Sequence, residues 1–205
     1  MGYVISLILG YIFGCFQTSY FLGKLVKGID IRKHGVNNAG ASNTVMVLGF
    51  KYGLLVAILD ILKATFAVLI IKRFFPQTTN LWYLTGLGAF LGHCFPFFMQ
   101  FRGGKGTASL VGAALAIDIR VGLITMLSGM AVAIITDYIF LGTLTVLTMF
   151  AISSLFYDYG SFALLIAAIM AIISIVKHSN NIVRLIKGEE TQVSNHLKFL
   201  KRFKK

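Results

Sequence analysis

Residues 52–71 read YGLLVAILDILKATFAVLII, twenty positions with only two charges, Asp60 and Lys63. A run this long and this apolar has the length an α-helix needs to cross the hydrocarbon core of a bilayer. The two charges stand three residues apart, on one face of such a helix, where they can neutralise each other. Ionisable residues at that depth are costly to keep unless they are used. Orienting the helix is one use and direct chemistry is the other; the first is the simpler reading.

Similar runs flank this one on both sides: about Tyr3–Leu22, Leu81–Phe98, Thr107–Ile117, Val121–Thr136, Tyr138–Leu155 and Ser161–Val176. Thr107–Ile117 is short for a full crossing and would be tilted, half-inserted or continuous with its neighbour. The pattern predicts an all-α, polytopic integral membrane protein of about seven transmembrane helices, with residues 1–205 forming one membrane-embedded domain. Residues 3–16 lack the basic segment that precedes the apolar core of a signal peptide, so they read as an uncleaved first span.

Composition points the same way. The 205 residues are 57% hydrophobic and 13% charged, whereas a soluble domain carries about a quarter charged residues. The formal net charge of +12 would suggest nucleic acid in a soluble protein. Here the apolar spans leave no basic face wide enough for it. Anionic lipid head groups and phosphate-bearing substrates are the partners expected, and no protein partner is evident. Cys15 and Cys94 lie in separate apolar runs and form no metal or redox pattern, so no metal and no cofactor is expected. The segment 23–51 holds five Lys/Arg and the tail from Lys177 holds eight, among them Lys198, Lys201, Arg202, Lys204 and Lys205. The positive-inside rule puts both in the cytoplasm, with the N-terminus outside and the C-terminus inside.

Four polar stretches interrupt the spans on that side. Phe101-Arg102-Gly103-Gly104-Lys105-Gly106-Thr107 combines two cations with three glycines, whose N–H groups can approach an anion where a helix begins. It departs from a P-loop, because Lys105 is followed by Gly and no strand precedes it; a plain glycine turn with two interfacial cations reads about equally well. Gly92-His93-Cys94-Phe95-Pro96 puts a histidine near a span end, suited to hydrogen bonding or packing before catalysis. His178, Asn181 and Arg184 follow the last span at helical spacing, along one face of a helical continuation; an interfacial helix touching lipid is the alternative. Gly35-Val36-Asn37-Asn38-Ala39-Gly40-Ala41-Ser42-Asn43 is small and amide-rich, as a tight phosphate- or hydroxyl-binding loop would be, or an ordinary polar loop.

Together these stretches resemble the bacterial membrane acyl-phosphate:glycerol-3-phosphate acyltransferases (PlsY type). Gly92 to Gly106 is similar to that family's second motif, with Arg102 in place of Lys. His178, Asn181, Ile182, Arg184, Leu185, Gly188 and Glu190 are similar to its third. Asp30, Ile31, Arg32, Gly35, Asn38, Gly40 and Asn43 match its first. Asp60 and Lys63 look like its second-span pattern. The chain departs at Val36 and Met46, where the family carries Ser and Arg, at Cys15 and Gln17, where it usually carries Ser and Pro, and at Ser179, where it carries Arg. Valine can neither donate nor accept a hydrogen bond, and methionine carries no charge for a phosphate. Asn37 and Ser42, and Arg32 or Lys33, are the neighbours able to substitute.

The resemblance implies transfer of a fatty acyl group from acyl phosphate to the C1 hydroxyl of glycerol 3-phosphate, giving lysophosphatidate, at the cytoplasmic face of the bacterial plasma membrane. It implies His93, His178 and Asn181 as catalytic residues. Asn38, Gly40, Asn43, Arg102, Gly103, Gly104, Lys105, Gly106 and Arg184 would bind substrate, with Lys105 and the 103–106 backbone holding phosphate. A catalytically impaired relative that binds phosphorylated lipid precursors is the main alternative. A small-anion transporter is the other, against which stands the lack of a recognisable inverted repeat.

Overall fold

The computed structural model describes residues 1–194; the last basic residues of the tail, from Lys198 to Lys205, lie outside the described residues. Among the described residues ten α-helices follow one another: α1 Gly2–Cys15, α2 Thr18–Lys27, α3 Ala41–Leu48, α4 Phe50–Phe74, α5 Thr79–Cys94, α6 Thr107–Ile117, α7 Ile119–Thr136, α8 Ile139–Phe156, α9 Gly160–Lys177 and α10 Ser179–Ile186. One isolated β-bridge, Tyr138 with Gln192, accompanies them. Six segments are long and apolar enough to cross a membrane, with α1 and α2 together making the first, and α6 is a shorter apolar helix. The expected first span is thus two helices, separated where Phe16 turns extended. The polar segment 23–51 also contains α3, which begins inside the stretch 35–43 expected as a loop and is held between Gly40 and Gly49, whose φ of +96° suits glycine.

Large apolar side chains such as Ile8, Ile12, Phe66, Leu127, Ile134 and Leu165 remain exposed around the circumference, as helices facing lipid require. The interior is closed by small residues. Gly10 and Gly14 of α1 lie against the Thr85 and Ala89 carbonyls of α5, and Gly88 and Gly92 of α5 lie against the Leu7 and Tyr11 carbonyls of α1. A Cβ at any of the four would come within 2.1–2.4 Å of those oxygens. Each helix carries the small-xxx-small spacing that lets backbones meet without a hydrophobic driving force from lipid.

The centre belongs to α6. Its residues Ser109–Ala114, Ala116 and Ile117 are buried, which is the arrangement a helix apolar on all sides demands. Gly112 sits on the Ile61 carbonyl of α4, and Thr65 Oγ1 donates to the Gly112 carbonyl at 2.9 Å. Eleven residues rise only about 16 Å, about half of a hydrocarbon core; the non-helical segment 100–106, left-handed at Gln100, Phe101 and Gly106, precedes them.

The connections gather at two ends. At one, Arg32 Nη1 donates to the Met99 carbonyl at 2.7 Å, Lys105 meets Asn181, and Ser194 and Val193 hydrogen-bond Asp137. At the other, Lys72 donates to the Ala116 and Ile117 carbonyls at 3.1 and 2.9 Å, Trp82 Nε1 donates to the Phe75 carbonyl at 2.9 Å, and Tyr159 donates to Asp118.

Candidate active site

The first of these ends contains two adjoining cavities. The smaller, about 180 Å³, is walled by residues including Val36, Asn38, Gly40, Met46, Asp60, His93, Lys105, Gly106, Phe140, Thr143, His178, Asn181 and Arg184. The larger, about 730 Å³, includes Asp30, Arg32, Lys33, Asn38, Arg102, Gly103, Gly104, Lys105, Lys177 and Arg184. Val36, Asn38, Lys105 and Arg184 border both. One wall therefore gathers residues from three polar stretches far apart in sequence.

The loop 30–40 is built on one side chain. Asn43 is fully buried and lines neither cavity. Its Nδ2 donates to the Ile31, His34 and Asn38 carbonyls at 2.8–3.1 Å, and its Oδ1 accepts from the Val36 N–H at 2.8 Å. Asn43, expected to bind substrate, has its amide engaged in shaping the loop that presents Val36 and Asn38. Arg32 anchors the same loop. It clasps Asp30 at 2.7 Å and reaches the Met99 carbonyl. The Arg32 guanidinium holds the Asp30 carboxyl below its usual range.

The glycines of the second stretch have a different use from the one expected. The Gly103 and Gly104 N–H groups donate to the Cys94 and His93 carbonyls at 3.1 and 3.0 Å. They cap the end of α5 and are not free for an anion. Gly104 is required for a second reason: a Cβ there would come 2.0 Å from His93 Nε2. Gly106 has a φ of +90° and faces the Phe90 ring, which a Cβ would meet at 2.1 Å. In this stretch the N–H groups of Lys105 and Gly106, and those of Thr107 and Ala108 at the start of α6, have no partner among the described residues; all four residues line the smaller cavity and no side chain caps the helix. The first N–H groups of a helix suit an anion.

Lys105 stands between the cavities, hydrogen-bonded to Asn181 Oδ1. Asn181 Nδ2 in turn donates to Glu190 Oε1 at 2.7 Å, and Arg184 Nε to Glu190 Oε2 at 2.9 Å. Burial, and then the Arg184 charge, lower the Lys105 pKa to about 8. Among the described residues the ammonium has no carboxylate within ion-pair distance; Glu190, whose charge acts on it, is held by Asn181 and Arg184.

The two histidines differ in the state their partners impose. His178 is buried beside the Phe140 ring and donates Nδ1–H to the Ser174 carbonyl at 2.8 Å, which leaves Nε2 as an acceptor. Burial, followed by the Lys105 charge, lowers its pKa to about 4, so it is neutral at pH 7. His93 is buried, with Nδ1 at 3.0 Å from Lys63 Nζ. Its carbonyl is bound by Gln17 Nε2 at 3.0 Å as well as by Gly104.

Of the residues expected to act, His93, His178, Asn181, Asn38, Gly40, Arg102, Gly103, Gly104, Lys105, Gly106 and Arg184 are all brought to these two cavities. Sequence reasoning named Gln17 only as a departure from the family pattern and did not find the wall of Phe140 and Thr143. It named Glu190 only as part of a motif, and gave Asp60 and Lys63 no link to His93. A hydrogen bond between separate helices leaves no local signal in a sequence; Glu190 did have one, its place in the third motif.

Comparison with known proteins agrees with this geometry. A family model described as glycerol-3-phosphate acyltransferase matches residues 4–188. Glycerol-3-phosphate acyltransferase 1 of Oceanobacillus iheyensis is 45% identical over 202 residues, covering 95% of this chain and 97% of that one. A glycerol-3-phosphate acyltransferase of Thermoanaerobacter pseudethanolicus is 36% identical, covering 93% of this chain and 95% of that one. A crystal structure of PlsY, an integral membrane glycerol 3-phosphate acyltransferase, in its glycerol 3-phosphate form superposes with a TM-score of 0.87 at 32% identity, covering 94% of this chain and 96% of that one. The lysophosphatidic acid form superposes at 0.84 and 31% identity, covering 94% and 95%. A fold, a polar end and relatives that coincide along nearly the whole chain lead to one conclusion: the chain belongs to the glycerol-3-phosphate acyltransferase family.

Proposed function

We propose that this membrane glycerol-3-phosphate acyltransferase draws its acyl group from an acyl phosphate and joins the two anionic substrates across the wall of Lys105 and Arg184. The observation that carries the reading is that these two cations border both cavities. A reaction between two anions needs its positive charge at the seam, where each phosphate feels it without facing the other bare.

The acyl group is already activated by its phosphate leaving group, so positioning and charge stabilisation are the main demands on the protein. The larger cavity, with Arg32, Lys33, Arg102, Lys105 and Lys177 in its lining, suits a polar phosphate. The smaller, with Val36, Met46, Ile139 and Phe140 beside polar groups, suits the reacting carbonyl and the start of the acyl chain. In this assignment the C1 hydroxyl of glycerol 3-phosphate attacks the acyl carbonyl carbon. Its proton goes to His178 Nε2, or to the departing phosphate. The carbon–oxygen bond to phosphate then breaks, releasing lysophosphatidate and inorganic phosphate. His93, Asn181 and Asn38 supply hydrogen bonds around the reacting groups. The N–H groups at the start of α6 and the Lys105 ammonium receive phosphate charge. Asn43 shapes the loop from behind.

The same reading takes residues 1–205 as one membrane-embedded domain in the bacterial plasma membrane. It takes α6 as a short seventh crossing, since its start adjoins the site and its end adjoins Lys72. An odd number of crossings with the basic segments inside puts the N-terminus outside and the site in the cytoplasm, where soluble glycerol 3-phosphate is available. The test supplies purified protein with acyl phosphate and glycerol 3-phosphate and follows both inorganic phosphate and lysophosphatidate. Release no faster than that of a Lys105→Ala control would overturn the donor assignment.

A further inference from the structure

We propose that Lys63, held by Asp60, is a positioning residue: it fixes the tautomer of His93 so that the imidazole offers Nε2–H, and only that, to the smaller cavity. The proposal rests on reading that cavity as the place of acyl transfer.

The three residues come from two membrane helices and are all buried. Lys63 Nζ has three acceptors: Asp60 Oδ1 at 2.8 Å, the Phe16 carbonyl at 2.6 Å and His93 Nδ1 at 3.0 Å. An ammonium has three N–H bonds and no acceptor capacity, so each bond is accounted for. The Phe16 carbonyl is available because the chain turns extended there, between α1 and α2. Asp60 is fixed by Thr18 Oγ1, which donates to the same Oδ1 at 3.2 Å. Asp60 cannot bind the imidazole directly, since its Oδ1 is 3.8 Å from Nδ1, beyond hydrogen-bond range.

A nitrogen that accepts from an ammonium must present its lone pair. With Nδ1 so occupied, the ring proton of a neutral imidazole lies on Nε2. An imidazolium would set N–H against N–H. His93 Nε2 has no partner among the described residues; it lies over Gly104, and His93 lines the cavity. The backbone around it is pinned by Gln17 and Gly104 on the His93 carbonyl. His178 is locked the opposite way, by donation to Ser174. One cavity therefore faces two neutral imidazoles in complementary states. His178 can take a proton; His93 can donate a hydrogen bond to oxygen as it gains negative charge, without giving the proton up. A donor held this way in advance needs no rearrangement as the reaction proceeds.

The tautomer can be read directly by nitrogen NMR on histidine-15N protein in detergent, with the His93 signal assigned by its loss in His93→Gln. The ligand-free protein should show a neutral, Nε2-protonated His93 and an Nδ1-protonated His178. Replacing both charges, Asp60→Leu with Lys63→Leu, leaves no lone buried ion. It should convert His93 to a tautomer mixture and lower kcat about 10²-fold, with KM for glycerol 3-phosphate unchanged within about twofold. Asp60→Asn with Lys63→Gln keeps a neutral donor for Nδ1 and should recover kcat at least about tenfold over the leucine pair. An imidazolium or an Nδ1-protonated His93 in the unmodified protein would overturn the proposal. So would a leucine pair with undiminished kcat. If the leucine pair does not elute as a folded species, the unmodified spectrum and the Asn/Gln pair still decide. The spectrum needs no turnover: if it is as expected while acyl phosphate is not consumed, the donor assignment fails and the role of Lys63 stands.

Discussion

The two ends of the helical bundle are made of the same kinds of residue, yet the two cavities described above lie at one of them. At the far end, Lys72 lies over the Trp82 ring, 4.6 Å from its centroid, and donates to the last carbonyls of α6. Asp118 binds Arg120 at 2.6 Å and accepts from Tyr159, while Arg120 covers Tyr157 at 4.3 Å. The Arg120 hydrogen bond drives the Asp118 carboxyl well below its usual range, and burial with that carboxylate raises Tyr159 to about 12. Lys72, Asp118 and Arg120 are thus each closed on a protein partner. At the site end the larger cavity gathers Arg32, Lys33, Arg102, Lys105, Lys177 and Arg184 against one lining carboxylate, Asp30. Lys105 leans on a neutral amide. Cations are found at both ends; six of them lining one cavity against a single carboxylate are found at one, and that surplus is what a substrate anion completes.

The largest way to break this contrast is to remove its central charge. Lys105→Ala should lower kcat/KM about 10²- to 10³-fold, measured by phosphate release, while the thermal midpoint holds or rises because a buried cation beside Arg184 is gone. Next is a steric test. Gly104→Ala places a methyl group against His93 Nε2 and should cost about 10²-fold in kcat through displacement of the ring, with α-helical circular dichroism unchanged.

The third uses pH. The Lys105 pKa is lowered to about 8 by burial and by Arg184. Below that value Lys105 is charged; above it the free enzyme loses the cation. The kcat/KM profile should therefore fall on the alkaline side, about tenfold per unit beyond about pH 8. Lys105→Arg, which stays charged, should abolish that limb even where it lowers the plateau. A fourth variant sharpens the contrast by adding to the surplus. Val36→Ser with Met46→Arg puts a hydroxyl and a cation into the lining of the smaller cavity and should raise kcat/KM several-fold, up to about tenfold. The smallest effect belongs to the far end. Asp118→Asn should lower the thermal midpoint by about 2–4 °C and leave turnover unaltered within about twofold, because Asp118 lines neither of the two cavities at the site.

Much of this architecture was readable from the chain. Hydropathy located the helices within a few residues, and α6 over its full extent, because a bilayer leaves a backbone little choice but helix. The polar stretches were also found, since glycines, amides and cations are rare in such company. What they do there was less legible. Gly103 and Gly104 carried the pattern of an anion loop, yet their N–H groups turn back on α5. Asn43 carried the chemistry of a ligand, yet it serves the loop that it lies beneath. Helix α3 was hidden inside the polar segment 23–51, beginning within the amide-rich stretch 35–43 read as a loop. Asp60 and Lys63 were recognised as partners three residues apart, but their third member, His93, lies on another helix. In each case the missing information is a tertiary contact, which no periodicity encodes.

The capping of α5 has an electrostatic consequence. Two helices meet at the site, α5 with its C-terminal end and α6 with its N-terminal start. Left bare, the first would present the negative pole of its macrodipole to two anionic substrates, and the second its positive pole. Gln17, Gly103 and Gly104 cover the carbonyls of His93 and Cys94, Lys177 donates to Cys94 at 3.1 Å, and Tyr11 covers Phe95 at 2.8 Å. The start of α6 has no such cover. The fold thus acts as a rectifier of helix fields: it mutes the pole that would repel phosphate and leaves the attracting one open.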